Sequence, residues 1–146
     1  MRKFLILCLV LAFAPSAALA ESSTICLWGL LAEGHAQMQA CGDSLGADGE
    51  ARYATLRAAT EAAIVANAKL AQGQTRNTVQ AGLTATDKGY HDKLAADPDA
   101  LKASLCLGPN YDQVKSIVEE LTAASTLDRM LAGLKKPRDP FAGECL

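Results

Sequence analysis

Four cysteines, Cys26, Cys41, Cys106 and Cys145, constrain this chain more than any other feature, because the residues ahead of them read as an export signal. Arg2 and Lys3 give a basic start, Phe4 to Ala14 is an apolar run, and Ala18, Leu19 and Ala20 form an A-x-A cleavage site before Glu21. The expected organisation is a signal peptide over residues 1–20 and a single domain over 21–146, delivered to the periplasm or the medium, where thiols oxidise. Cys8 belongs to the leader, so the remaining cysteines are even in number and two disulfides are the natural reading. Neither the leader nor any later stretch reaches the ~20 apolar residues of a spanning helix, so no stable membrane insertion is expected.

Which cysteines pair follows from secondary structure. Half the residues are apolar and 5% are aromatic, so the core must be built from Ala, Leu, Ile and Val. Alanine abundance and the lack of sustained period-two alternation predict helices with almost no sheet. A first helix is expected from Ser23 to Cys41, with Leu27, Leu31 and Met38 on one stripe, Trp28, Ala32 and His35 beside it, and the three glycines from Gly42 to Gly49 ending it. Asp48 is suited to cap a second, running to Gln72 with Tyr53, Leu56, Ala63 and Leu70 in register. Val79, Leu83, Thr86, Tyr90 and Leu94 keep helical spacing in a third, which Asp97 and Pro98 break. Asp97 as N-cap opens a short helix from Pro98 to Leu105, and Asn110 with Gln113 resembles a capping box for a fourth long helix. Its stripe is Val114, Ile117, Leu121, Ala124, Leu131 and Leu134, and the segment from Lys135 with its two prolines reads as a linker-like tail.

The expected fold is thus all-α, an up-and-down bundle of four main helices plus one short helix. Four cysteines allow three connectivities. Cys26 and Cys41 lie roughly 22 Å apart if they share one helix at 1.5 Å per residue, whereas a disulfide needs Cα atoms within about 7 Å. An antiparallel arrangement puts Cys41 near Cys106 at one end and Cys26 near Cys145 at the other. The chain-entropy model assigns each such long-loop closure about 4 to 5 kcal/mol. Metal or redox use would call for close Cys-x-x-Cys or Cys/His spacing, which the sequence lacks.

Charge narrows the partners. Without Arg2 and Lys3 the formal charge of −2 becomes about −4, which attracts neither nucleic acid nor an anionic membrane. Lys135, Lys136 and Arg138 form a short basic run that reads as a solvated tail.

Among candidate chemistries, Gly42, Asp43, Ser44 and Leu45 resemble the nucleophile block of the GDSL esterases and lipases. The resemblance covers four residues. It implies a serine nucleophile after a strand, activated by the histidine of a late Asp-x-x-His. Here the string follows a helix, Asp87 to His91 is one residue too long, and no histidine comes later, so Ser44 reads as a turn residue. His35 and His91 on facing helices, with Glu33, Asp87 or Asp92, are candidates for a metal, but the bundle signature of paired Glu-x-x-His is missing. Arg52, Arg57 and Arg76 with Asn67 and Asn77 are candidates for lining an anion groove, against the simpler reading of an exposed face with an Arg57–Glu61 pair four apart. No catalytic residue, cofactor or metal is expected.

What remains is recognition: a small exported helical protein that binds another protein of the envelope or medium, as an inhibitor, immunity factor or chaperone does. Tyr111 at a helix start and Phe141 in the tail are the aromatics expected at the surface and hence at such an interface. Trp28 and Tyr53 are expected in the core. The rival reading is a carrier of a small apolar or anionic ligand held between Ala-rich helices, with a hydrolase a distant third.

Overall fold

The computed structural model describes residues 23–96, 98–143 and 145. The signal peptide read over residues 1–20, and Asp97 as a cap, lie outside them. The described residues form α1 (Thr24–Ala40), α2 (Gly46–Asn67), α3 (Arg76–Ala96), α4 (Pro98–Ser104), α5 (Pro109–Leu121) and α6 (Ala124–Leu134). No strand occurs among the described residues, so the all-α expectation holds.

Both ends of α1 form for reasons visible in the sequence. Ser23 caps its start by accepting the Cys26 N–H at 3.3 Å. At the other end Gly42 takes φ +79°, its N–H reaches the Gln39 carbonyl and the Asp43 N–H reaches that of Met38, a Schellman closure that only a residue at ease with positive φ supports cheaply. Between the caps, Leu27, Trp28, Leu31, Ala32, His35, Ala36 and Met38 are all buried. Burial over most of its circumference, with Glu33 and Gln39 left exposed, makes α1 the axle of the bundle, packed against α2, α3 and α5.

Cross-links between helices give the directions. His35 meets Glu50 while Trp28 meets Glu61, so α1 and α2 are antiparallel. Arg57 meets Asp87 while Glu61 meets Gln80, so α2 and α3 are antiparallel too. A Cβ built on Gly34 would stand 2.7 Å from Val118 Cγ2 and 3.1 Å from Val114 Cγ1, and Met38 packs near Tyr111, so α5 runs antiparallel to α1 at close approach. The main core joins Leu27 and Leu31 of α1, Leu56 of α2, Leu121 of α5 and Met130 and Leu134 of α6. Each fully buried leucine here contributes about 2 kcal/mol relative to an exposed one. A second cluster, Trp28, Ala32, Ile64 and Leu83, attaches α3.

The disulfides are Cys26–Cys145 and Cys41–Cys106, closing loops of 119 and 65 residues, as the bundle geometry requires. Each fastens one end of α1.

Five expectations need correction. The fourth long helix is two helices, broken at Thr122 and Ala123, where the Thr122 hydroxyl donates to the Val118 carbonyl and Arg52 Nε donates to the Thr122 carbonyl at 2.6 Å. It also starts one residue before Asn110, with Gly108 as N-cap and Pro109 in the first turn, so the capping box is not used. The second helix stops at Asn67, five residues short, because Arg76 donates to the Val65 and Ala68 carbonyls and closes its end; Asp48 lies in its first turn and is not its cap. The tail is not a free linker: the Ile25 N–H donates to the Pro140 carbonyl at 3.0 Å, Arg138 Nε donates to Thr24 Oγ1, and Pro140 is fully buried.

Candidate functional site

Polar chemistry gathers where α1, α2 and α3 meet. His35, Gln39, Tyr53, Arg57, Glu61, Asp87 and His91 line an open cleft of about 420 Å³. Its residues come from helix faces that also bury apolar side chains, which is why the polar groups satisfy one another. The rings of His35 and Tyr53 stack at 3.8 Å and 15°, and His35 Nε2 lies 2.7 Å from Glu50 Oε2. Burial pushes the Glu50 carboxyl upward, but the Leu45 N–H and His35 outweigh it and hold the group below the ordinary glutamate range.

Arg57 is the hub. It donates through Nε to Glu61 at 2.8 Å and through Nη1 to the Tyr53 hydroxyl at 3.0 Å, and Nη2 lies 3.2 Å from Asp87 Oδ1. Its guanidinium also sits 5.0 Å over the Trp28 ring, whose Nε1–H donates to Glu61 at 3.1 Å. Burial raises the Glu61 carboxyl, yet the Trp28 hydrogen bond, the Arg57 charge and Gln80 together hold it below its usual range. Burial pushes the Tyr53 hydroxyl up. Asp87 Oδ1 is buried beside Arg57 without an aligned hydrogen bond. This largely mutually neutralised network holds α3 on the bundle.

The sequence candidates are distributed as follows. His35 and His91 do reach the same cleft, His35 buried and His91 exposed. Among the described residues no group of three or more His, Cys, Asp and Glu is placed to share a metal ion. The three arginines do not share a groove: Arg52 serves the Thr122 carbonyl, Arg57 the cleft and Arg76 the end of α2, while Asn67 donates to the Ala63 carbonyl. The Arg57–Glu61 pair forms as expected. Ser44 is exposed in the turn between α1 and α2.

Tyr111 is 4% exposed, contrary to its expected surface position. It packs with Met38 and Val118, and its hydroxyl donates to Asp43, which also pairs with Lys115 at 3.1 Å. The Tyr111 and Lys115 hydrogen bonds hold the Asp43 carboxyl below its usual range. Tyr111 is thus a strut fixing the turn after α1, and Asp43 of the Gly-Asp-Ser-Leu string is consumed by it. Phe141, by contrast, is 56% exposed. Its N–H donates to Asp139 Oδ1, and Asp139 pairs with Lys69 at 3.0 Å beside the exposed Leu70. Next to this end Arg129, Ala132, Gly133, Lys136 and Arg138 line a hollow of about 360 Å³, a feature that needed the docked tail to be seen.

No protein-family model matches the chain, and no curated protein or solved structure does.

Proposed function

We propose that this chain acts by binding another exported or envelope protein non-covalently, in the manner of an inhibitor, immunity factor or chaperone, and that the end carrying Phe141 makes the contact. One observation supports the reading: a large apolar ring stands more than half exposed on a backbone that is already fixed. The Pro140 carbonyl is bound by Ile25, the Phe141 N–H by Asp139, and the chain is tied to α1 again at Cys145. An aromatic held rigid before binding loses little conformational entropy on docking, which is the property of interface anchors. Leu70, 40% exposed, follows Lys69, whose ion pair with Asp139 ties that segment to the tail. The two disulfides, with no helix among the described residues long and apolar enough to cross a membrane, are compatible with an exported chain.

The test is capture on immobilised, oxidised protein from envelope extract and culture medium, run in parallel with Phe141→Ala, Leu70→Ala and Leu107→Ala. A protein retained in stoichiometric amount by the native chain and by Leu107→Ala, and lost with Phe141→Ala, is the expected result. Equal retention by all four sinks the assignment to this end.

A carrier role has one supporting observation, a cleft of about 320 Å³ between α1 and α3 lined by Ala36, Gln39, Ala40, His91, Leu94 and Ala95. Native mass spectrometry of the same material distinguishes it, since a carrier would show a small bound adduct.

A further inference from the structure

The basic run that reads as a solvated tail in the sequence is, in the fold, part of a shaped surface. Arg129, Ala132 and Gly133 share one face of α6 at three- and four-residue spacing, opposite the face that buries Met130 and Leu134, and Lys136 follows in the turn that leaves the helix, its N–H on the Gly133 carbonyl. The tail returns along this face and adds Arg138. Three cations therefore surround a floor of small residues, and a Cβ placed on Gly133 would meet nothing within 4 Å, so a chain can lie close to the helix. No carboxylate pairs with Arg129 or Lys136 among the described residues, and nearby Asp139 is engaged by Lys69. The negative pole of α6 accounts for Lys136 at its end, but Arg129 stands about two turns earlier, beyond the reach of that effect. Arg138 is oriented by its bond to Thr24. The chain as a whole is acidic, so this concentration of positive charge runs against the rest of the molecule and focuses its field at one end.

Resting on the protein-binding reading above, we propose that this hollow receives an acidic segment of the bound protein, its carboxylates taken by Arg129 and Lys136 while Phe141, three residues beyond Arg138, anchors an apolar side chain next to them. The planar fork of arginine suits carboxylates, and opposite charge guides the docking that the aromatic then holds.

The experiment is an amide-resolved NMR titration of the oxidised chain at low ionic strength with a capped hexaglutamate peptide, with capped hexaglutamine as control. Saturable shifts at Arg129, Ala132, Gly133 and Lys136 are expected with the glutamate peptide and none with the glutamine one. The double variant Arg129→Gln/Lys136→Gln should bind roughly ten-fold more weakly, while Lys88→Gln/Lys93→Gln on α3 should bind as the native chain does. Absence of saturable shifts, or equal weakening by both double variants, overturns the proposal. So does an equal response to inorganic phosphate, which would make the hollow a site for a small oxyanion, or tighter binding to phosphatidylglycerol vesicles than to the peptide. The titration does not depend on Phe141, so its failure leaves the capture result standing, and loss of the capture result leaves the titration to be judged separately.

Discussion

The bundle has two sides that are held to α1 by different means. On one side α2, α5 and α6 close over Leu31, Leu56 and Leu121, all of them at most 1% exposed, and both disulfides tie segments of this side or its flanks to the ends of α1. On the other side α3, 21 residues long, buries Leu83 and otherwise depends on half-buried Val79 and Tyr90 and on the network around Arg57. No cysteine lies in α3. The difference teaches that helix length is a poor guide to how firmly a helix is attached: α6 is about half as long as α3 and is better fastened. The α3 side should therefore open by itself, as a local event below the global unfolding free energy.

The sharpest test of this contrast is the largest. Cys26→Ser with Cys145→Ser should lower global stability by about 4 to 5 kcal/mol in urea, while local opening of α3, measured by amide exchange, stays as it was. Matching losses in both would erase the distinction. Next in size, Leu31→Ala should cost about 4 kcal/mol and Leu83→Ala about 2, the latter accelerating exchange in α3 before α6. Gly34→Ala should cost about 2 kcal/mol by driving a methyl into the stiff Val118 side chain where α1 and α5 touch, and α3 exchange should not change. Arg57→Gln is expected to remove about 1 kcal/mol from α3 alone, roughly a five-fold rise in its exchange rates.

The smallest effect is on pH. Glu61 is held below its ordinary range, so its contribution is complete above the unfolded glutamate value of about 4.3 and fades as pH falls through the lower folded value. Trp28 fluorescence, which reports the Glu61 hydrogen bond directly, should change on acidification before the far-ultraviolet helix signal does. Simultaneous change would mean that α3 and the main core respond as one.

How far the sequence foretold this depends on whether the deciding contact is local. Cysteine pairing could be worked out because α1 is capped by Ser23 and closed by Gly42, residues that announce themselves, and its length then separates Cys26 from Cys41. Met38 and Trp28 fell into the interior by the same periodicity. Tyr111 could not be placed, since the group that draws it inward, Asp43, lies 68 residues away. The break after Leu121 carries no glycine or proline, and Ala123 offers no side-chain cap; it is sustained by Arg52 from another helix. Docking of the tail rests likewise on Ile25 at the opposite end of the sequence, so the hollow beside Phe141 had no signature in the Lys135, Lys136 and Arg138 run itself.

The Cys26–Cys145 bridge also decides how the molecule would bear a load. A pull applied outside these two residues, on the flanks before Cys26 and after Cys145, passes from one to the other through the sulfurs and never enters the 119-residue loop they close. The helices between would feel almost no tension until that bond was reduced, so in a force-extension measurement the oxidised chain should behave as a short tether with no unfolding step, and the reduced chain should lengthen.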